Sequence, residues 1–481
     1  MGNNIEDLVG RLKGVFKGEL LRPEDPGYAE ARLIWNATVM RAPGLIARCT
    51  DVLDVQATVR AAAATGVLTA VRCGGHSLAG FSSCDNGLVV DLSAMRDIFV
   101  DEHSRRAYAA GGCLLGTIDS ATQQAGLVYP SGVVSHTGAA GLILGGGTGW
   151  LTRMFGMSCD NVEQFTLVTS DGSVERASAR ENTELFWALR GGGGNFGIVT
   201  EFALKLHPLT SVMLGSGLCF YGDIVPTLRY WRDFMPDAPD ELKWNISLRL
   251  MPDAAGAANG ANRSPVLSET VAWFGEQDAG QDHLDRIFSI GNPTTVSRET
   301  VPYLSLQTMA DAEFPHGRRY YTKSGYFKTL GDDSIQHMLD ALPFVPSASS
   351  QIELAYLGGV AGRVGPSETA FGSRAAPYII NILADWQDAS ADVENISWVR
   401  NLFAKLRAAM QPGVYVNFMS ADEEDRVKEA YSDRWDRLVA VKTHYDAGNF
   451  FRLNQNIRPL SLDSRGRFDC QSAISETGNG E

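Results

Sequence analysis

The chain has 481 residues, 44% hydrophobic and 20% charged, an ordinary globular profile with room for roughly two to four folding units. Lys and Arg number 42 against 56 Asp and Glu, a formal charge of −14 with no basic run, which argues against nucleic acid or an anionic membrane as partner. No stretch reaches the ~18 apolar residues of a spanning helix; residues 1–7 lack the basic and apolar regions of a signal peptide, and Glu6 stands where myristoylation requires Ser or Thr.

A helix is predicted over 50–66: Thr50 or Asp51 can cap it, Val52, Val55 and Val59 recur at helical spacing, and Gly66 ends it. The β-rich run 67–71 leads directly into Arg72-Cys73-Gly74-Gly75-His76-Ser77, and after a turn at Asp85-Asn86-Gly87 a buried strand is expected over 88–92. Residues 105–110 read as a strand and 114–125 as a helix. A hairpin over 164–177 turns at Asp171-Gly172, and 198–204 alternates as a half-buried strand that ends before His207-Pro208. Beyond about residue 208 glycine thins out and Trp and Tyr rise. Strands are predicted over 244–250, 266–274, 352–357 and 378–383, and helices over 224–235, 280–289, 393–408 and 422–440. The mixture has no strict βαβ rhythm and favours an α+β fold with an antiparallel sheet. A dense run follows at 445–457, and the polar tail after Pro459 is expected to wrap the surface or fray.

Cys49, Cys73, Cys84, Cys113, Cys159, Cys219 and Cys470 are scattered with no C-x-x-C, which suits a reducing, cytoplasmic setting better than a disulfide framework. The eight histidines form no H-E-x-x-H or similar pair, so no metal site is predicted.

The unusual figure is 50 glycines, concentrated at 74–75, 138–149 and 191–194. A strand feeding Gly74-Gly75 presents backbone N–H groups with no side chains in the way, a nest able to bind pyrophosphate without lysines. The spacing is neither a P-loop nor a Rossmann fingerprint at the first strand. For this pair alone a plain tight turn is an equal reading. The stretch 131–150 is poor in helix and strand formers and reads as a long loop with a ligand to wrap. The run 190–197 again leads into a strand. One large extended cofactor is the simplest common cause of these three loops.

The order R-x-G-G-H-S, S-G-V…G-G-G-x-G-W, L-V-T-x-D-G, F-W-A-L-R-G-G-G-G-N-F-G-I-V-T and Y-D-x-x-N-F-F-R-x-N-Q-N-I resembles the berberine-bridge-enzyme-like FAD-linked oxidases of the vanillyl-alcohol-oxidase superfamily, over nearly the whole chain. The resemblance implies a PCMH-type, two-subdomain FAD-binding domain assembled from 1–206 and 413–481. It also implies a substrate domain, 207–412, whose large antiparallel sheet is covered by helices. FAD would be held by Arg72, Cys73, Gly74, Gly75, His76, Ser77 and Gly80 of the first block. The second block would add Ser131, Gly132, Val134, Thr137, Gly138, Gly141, Leu142, Gly145 and Gly146. Gly197, Ile198 and Val199 would follow, then Tyr415, Asn417, Asn454 and Asn456. His76 takes the place of the histidine bonded to the flavin 8α-methyl. Val134 stands where the best-known members carry a second, cysteinyl tether, so linkage through His76 only is expected, while Cys73 and Cys159 read as small buried side chains.

The implied reaction is oxidation of a CH–OH or CH–N group of a small, secondary-metabolite-like substrate. Hydride would pass to flavin N5, and dioxygen would yield hydrogen peroxide. An oxygenating enzyme using a flavin-N5-oxide, a dehydrogenase of the same fold and a non-catalytic flavin binder are the rival readings. The protein is expected to be a monomer or homodimer. Phe418 replaces the tyrosine that ends the family's Y-x-N-Y run, so the base must lie elsewhere. Glu353 is the candidate, because Ile352 and Leu354 point the other way along its strand and an apolar cleft raises a carboxyl pKa. A solvent-facing Glu353 is an equal reading. Asn381 is the polar inward candidate on 378–383, and Tyr356, Asn245 and Ser247 are further pocket candidates.

Overall fold

A computed structural model describes residues 2–252, 263–372 and 374–460. Ser373, Cys470 and the tail beyond residue 460 lie outside the described residues. The predicted cap and stop operate in the helix Val52–Thr65: the Asp51 carboxylate accepts from the Asp54 amide, and Gly66 turns left-handed at φ 65°. That helix buries Val55 and Val59 against a four-stranded sheet. There Leu88–Asp91 runs parallel to both Leu45–Arg48 and Thr69–Arg72, and Glu19–Leu21 closes one edge antiparallel. Every residue of Leu88–Asp91 is buried, as a central parallel strand requires.

A second, antiparallel sheet runs Ile98–Asp101, Arg106–Ala110, Ile198–Lys205, Val162–Val168, Val174–Ser178. The predicted hairpin forms its edge. The largest sheet has seven antiparallel strands, in the order Thr295–Pro302, Ser211–Phe220, Arg263–Trp273, Leu242–Pro252, Gln351–Tyr356, Tyr378–Trp386, Arg319–Phe327. Helices Ile224–Phe234, Gln277–Phe288, Asp332–Ala341 and Asp392–Leu406 cover one face and share with it a core that includes Trp231, Trp244, Ile352, Leu354 and Trp398. The other face turns toward the glycine loops.

Three of these strands escape the sequence reading for physical reasons. Ser211–Phe220 carries Gly215, where a Cβ would come within 2.5 Å of the Phe288 ring; the glycine clears space for a helix although it weakens a strand signal. Arg319–Phe327 hides Lys323, whose ammonium meets Asp422 at 3.1 Å and Glu423 at 3.4 Å. Thr295–Pro302 is a largely exposed edge. The expected helix over 422–440 is broken into Val427–Tyr431 and Trp435–Tyr445 by Ser432 at φ 49°. The expected loop over 131–150 contains the short helix Ala139–Leu144, whose Ile143 and Leu144 are buried. No helix among the described residues is long and apolar enough to cross a membrane.

Two glycine loops cross back to back. A Cβ on Gly74 would lie 2.3 Å from the Gly138 nitrogen, and one on Gly138 would lie 2.3 Å from the Gly74 nitrogen and 2.7 Å from Cys73 Sγ. Gly138→Ala therefore forces rigid backbone apart and is expected to cost about 1–3 kcal/mol. Urea unfolding checks this, and a midpoint equal to wild type refutes the close approach.

Candidate functional site

Between the exposed face of the seven-stranded sheet and the glycine loops lies a cavity of about 630 Å³. The loop after Thr69–Arg72 brings His76 to its wall. His76 Nε2 and His136 Nδ1 share a 2.8 Å hydrogen bond, Thr137 Oγ1 stands 3.5 Å from His76 Nδ1, and Trp35 stacks on the ring at 4.8 Å. Burial, then the neighbouring His136 and His316, hold the His76 pKa well below the usual histidine value. His76 is thus neutral near pH 7; its Nε2 is engaged by His136, which leaves Nδ1 as the nitrogen available to an electrophile. One nitrogen from each of His76, His136 and His316 falls within 4.8 Å of the others, a convergence that no sequence spacing announces. The direct His76–His136 bond needs a proton between those two nitrogens, so they stand as a hydrogen-bonded pair rather than as two free metal ligands.

Part of the remaining wall is bare backbone. Gly141 and Gly194 line the cavity with no atom within 4 Å of a would-be Cβ. Ser82 Oγ, Trp150 Nε1 and Asn454 Oδ1, all on cavity-lining residues, have no hydrogen-bond partner among the described residues. Such a cradle, with unspent polar atoms, fits an extended dinucleotide such as FAD. The C-terminal segment closes the cavity. Asn417 Nδ2 donates to the Leu142 carbonyl at 3.0 Å, and the Tyr415 hydroxyl, its pKa pushed up by burial to about 12, accepts from the Gly147 amide at 3.0 Å. Behind it, fully buried Lys442 donates to Asp446 Oδ2 (2.7 Å) and to the carbonyls of Asn195 (2.8 Å) and Phe451 (2.9 Å).

Opposite the loops, Ser247, Glu353 and Asn381 share one rung of the large sheet. The Glu353 carboxylate accepts from Asn381 Nδ2 at 2.7 Å and from Gln351 Nε2 at 3.0 Å. Ser247 Oγ donates to Gln351 Oε1 at 2.6 Å, and Thr322 Oγ1 donates to Asn381 Oδ1. Burial raises the Glu353 pKa to about 7; the Asn381 hydrogen bond opposes this and nearby Glu313 adds to it. A carboxyl held by two amides at that pKa can take or give a proton near neutrality.

The structure gathers most of the predicted positions at this cavity and leaves some away from it. Cys73, Gly74, Gly75, His76 and Ser77 line it, as do Gly132, Val134, Thr137, Gly138, Gly141, Leu142 and Gly145. Gly197, Ile198, Val199, Tyr415, Asn417 and Asn454 do too, together with Glu353 and Asn381. Arg72 instead donates to Asp91 at 2.7 Å, its pair at the end of two parallel strands. Gly80 packs on Val39 and Gly146 on Phe371 and Met157. Ser131 bonds Gln307 at 3.0 Å. Asn456 does not reach the cavity wall, although its Oδ1 is buried without a partner among the described residues. Tyr356 is three residues from Glu353 and so falls on the helix-covered face, against Arg153 and Tyr378. Sequence reasoning passed over Trp35, His136, Lys243, Arg249, Thr322 and Gln351. The alternation Lys243-x-Asn245-x-Ser247-x-Arg249 was the available signal for two of them.

Comparison with known proteins agrees with this geometry. The FAD binding domain family matches residues 43–178, and the Berberine and berberine like family matches residues 414–458. An FAD-linked oxidoreductase of Dictyostelium discoideum is 34% identical over 89% of this chain and 91% of its own length. The (R)-6-hydroxynicotine oxidase of Paenarthrobacter nicotinovorans is 31% identical over 92% of this chain and 97% of its own. The crystal structure of 6-hydroxy-D-nicotine oxidase from Arthrobacter nicotinovorans superposes with a TM-score of 0.82 at 28% identity, covering 92% of this chain and 98% of that one. With its PCMH-type α+β architecture and its two matched segments, the chain belongs to the berberine-bridge-enzyme-like family of FAD-linked oxidoreductases.

Proposed function

We propose that the protein is an oxidase that carries FAD covalently on His76 alone and oxidises a CH–OH or CH–N group of a small organic substrate. In this reading, 1–206 and 413–481 form the FAD-binding domain and 207–412 the substrate domain. The observation that carries it is one cavity holding a neutral, oriented His76 among glycine loops on one side and a near-neutral carboxyl, Glu353, on the other. When bound, FAD supplies the two-electron acceptor that passes its electrons to dioxygen, so that R₂CH–XH and O₂ become R₂C=X and H₂O₂. The protein's part is to position and to move protons. Glu353 takes the proton of the substrate O–H or N–H, while Asn381 and Gln351 hold its two oxygens in place. The apolar wall at Leu142, Ile379 and Leu383 limits water around that carboxyl. A single tether is supported by Val134 at the cavity wall and by Cys73, whose thiol donates to the Cys113 carbonyl at 3.3 Å.

Acid precipitation tests the linkage. The wild-type pellet is expected to stay yellow, and the His76→Ala pellet to be colourless with free flavin in the supernatant. A colourless wild-type pellet refutes the bond. Hydrogen peroxide equal to substrate consumed separates the oxidase from an oxygenating enzyme or a dehydrogenase.

A further inference from the structure

Lys243, Asn245, Ser247 and Arg249 alternate along the strand Leu242–Pro252, and all four line the cavity. Two of them are engaged: Ser247 donates to Gln351, and Arg249 reaches Ser268 at 3.4 Å and Glu313 at 3.8 Å. The other two are not. Lys243 is only 4% exposed, yet among the described residues its ammonium makes no hydrogen bond and no ion pair. The Asn245 amide has no partner either among the described residues: its Nδ2 is a free donor, and its buried Oδ1 is an unpaired acceptor.

The surroundings make an unpaired lysine costly. Burial and the adjacent Arg153 guanidinium push its pKa down to about 7. Arg153 adds like charge rather than offsetting it, and its own partners include the backbone carbonyls of Leu242 and Ala238, each at 2.8 Å. Trp150 packs in one apolar cluster with Ala272, the cross-strand partner of Lys243. This corner of the cavity offers the Lys243 ammonium and Asn245 Nδ2 with no carboxylate bonded to them among the described residues. Unpaired donors on a cavity wall are paired by what binds there. Glu353 faces Ser247, and Lys243 is four residues back along the strand, roughly 14 Å at about 3.4 Å per residue.

We infer that Lys243 and Asn245 form a subsite for an oxyanion, a carboxylate or an acidic phenolate, carried by the substrate at the end remote from the carbon that is oxidised. This rests on the reading of Glu353 as the base of a flavin oxidase, whose substrate must then span the cavity. It narrows the substrate class to small, mainly apolar molecules with an acidic group at one end.

Calorimetric titration of the purified holoenzyme with benzoate, 4-nitrophenolate and benzamide tests it. Benzoate, nitrophenolate or both are expected to bind about tenfold or more tightly than benzamide, and which of them does so identifies the anion. Lys243→Met is expected to remove that preference and to leave benzamide binding unchanged, while Lys243→Arg keeps it. Equal binding of benzoate, nitrophenolate and benzamide by the wild type overturns the subsite. So does Lys243→Met protein that shifts the flavin spectrum but still prefers the anion, because the lysine then serves the cofactor. A colourless acid pellet from protein that still discriminates benzoate from benzamide refutes the flavin linkage and leaves the subsite standing.

Discussion

Glu353→Gln is expected to lower kcat by about 10²–10⁴-fold while FAD remains attached, the range over which a positioned general base contributes. The amide keeps the volume and can accept from only one of Asn381 and Gln351, its NH2 facing the other donor, and it cannot accept the substrate proton. The pH profile follows from the raised pKa. Below about 7 the carboxyl is protonated and idle, so wild-type turnover rises through about pH 7 and levels above it; the variant loses that limb. The same group acts on stability with the opposite sign. In the unfolded chain it ionises near 4.5, in the fold near 7, so between those values the unfolded state holds fewer protons and stability falls as pH rises. The effect is at most about 3 kcal/mol, and Glu353→Gln removes it. From pH 5 to pH 8 the variant should lose less melting temperature than wild type. A variant with undiminished turnover, or one that keeps the limb near pH 7, removes Glu353 from the chemistry.

Lys442→Met should be the most destabilising single change away from the cavity. Lys442 and Asp446 have side chains with 0% exposure, and the carboxylate also accepts the Phe450 and Phe451 amides at 2.7 and 2.8 Å. Removing the ammonium leaves a buried charge with only two N–H partners and frees the carbonyls of Asn195 and Phe451. The expected loss is about 3–5 kcal/mol, read from urea unfolding. Adding Asp446→Asn to Lys442→Met should recover part of it, because the uncompensated charge is gone. A single variant within about 1 kcal/mol of wild type would show that the pair is dispensable. Phe451, Leu453, Asn454 and Gln455 line the cavity just beyond this ion pair, so FAD retention should weaken along with the fold.

What could be read from the chain alone followed the strength of local signals. The cap, stripe and stop of Val52–Thr65 lie within one segment and were legible. The parity argument that turned Glu353 toward the cleft was legible too, and applied strictly it would have removed Tyr356 from the same pocket. Ser211–Phe220 and Arg319–Phe327 were not legible, because Gly215 and Lys323 make sense only beside Phe288 and Asp422, residues distant in sequence. His136 sat inside a quoted motif, but its role depends on a 2.8 Å contact across two loops. Lys243 alternates correctly with Trp244, Ile246 and Leu248, yet only the sheet's pairing shows that its face is the cavity and that nothing answers its charge.

The cavity's wall draws on Trp35, near the start of the chain, and on Phe451, Leu453, Asn454 and Gln455, near its end. A chain still emerging from the ribosome can therefore shape the glycine loops long before it owns a finished pocket. Until Tyr415, Asn417 and Asn454 arrive, the groove beside His76 is open to water on one flank. The pocket is thus complete only when both ends of the polypeptide are in place, so binding of a prosthetic group there reports on the fold of the whole chain.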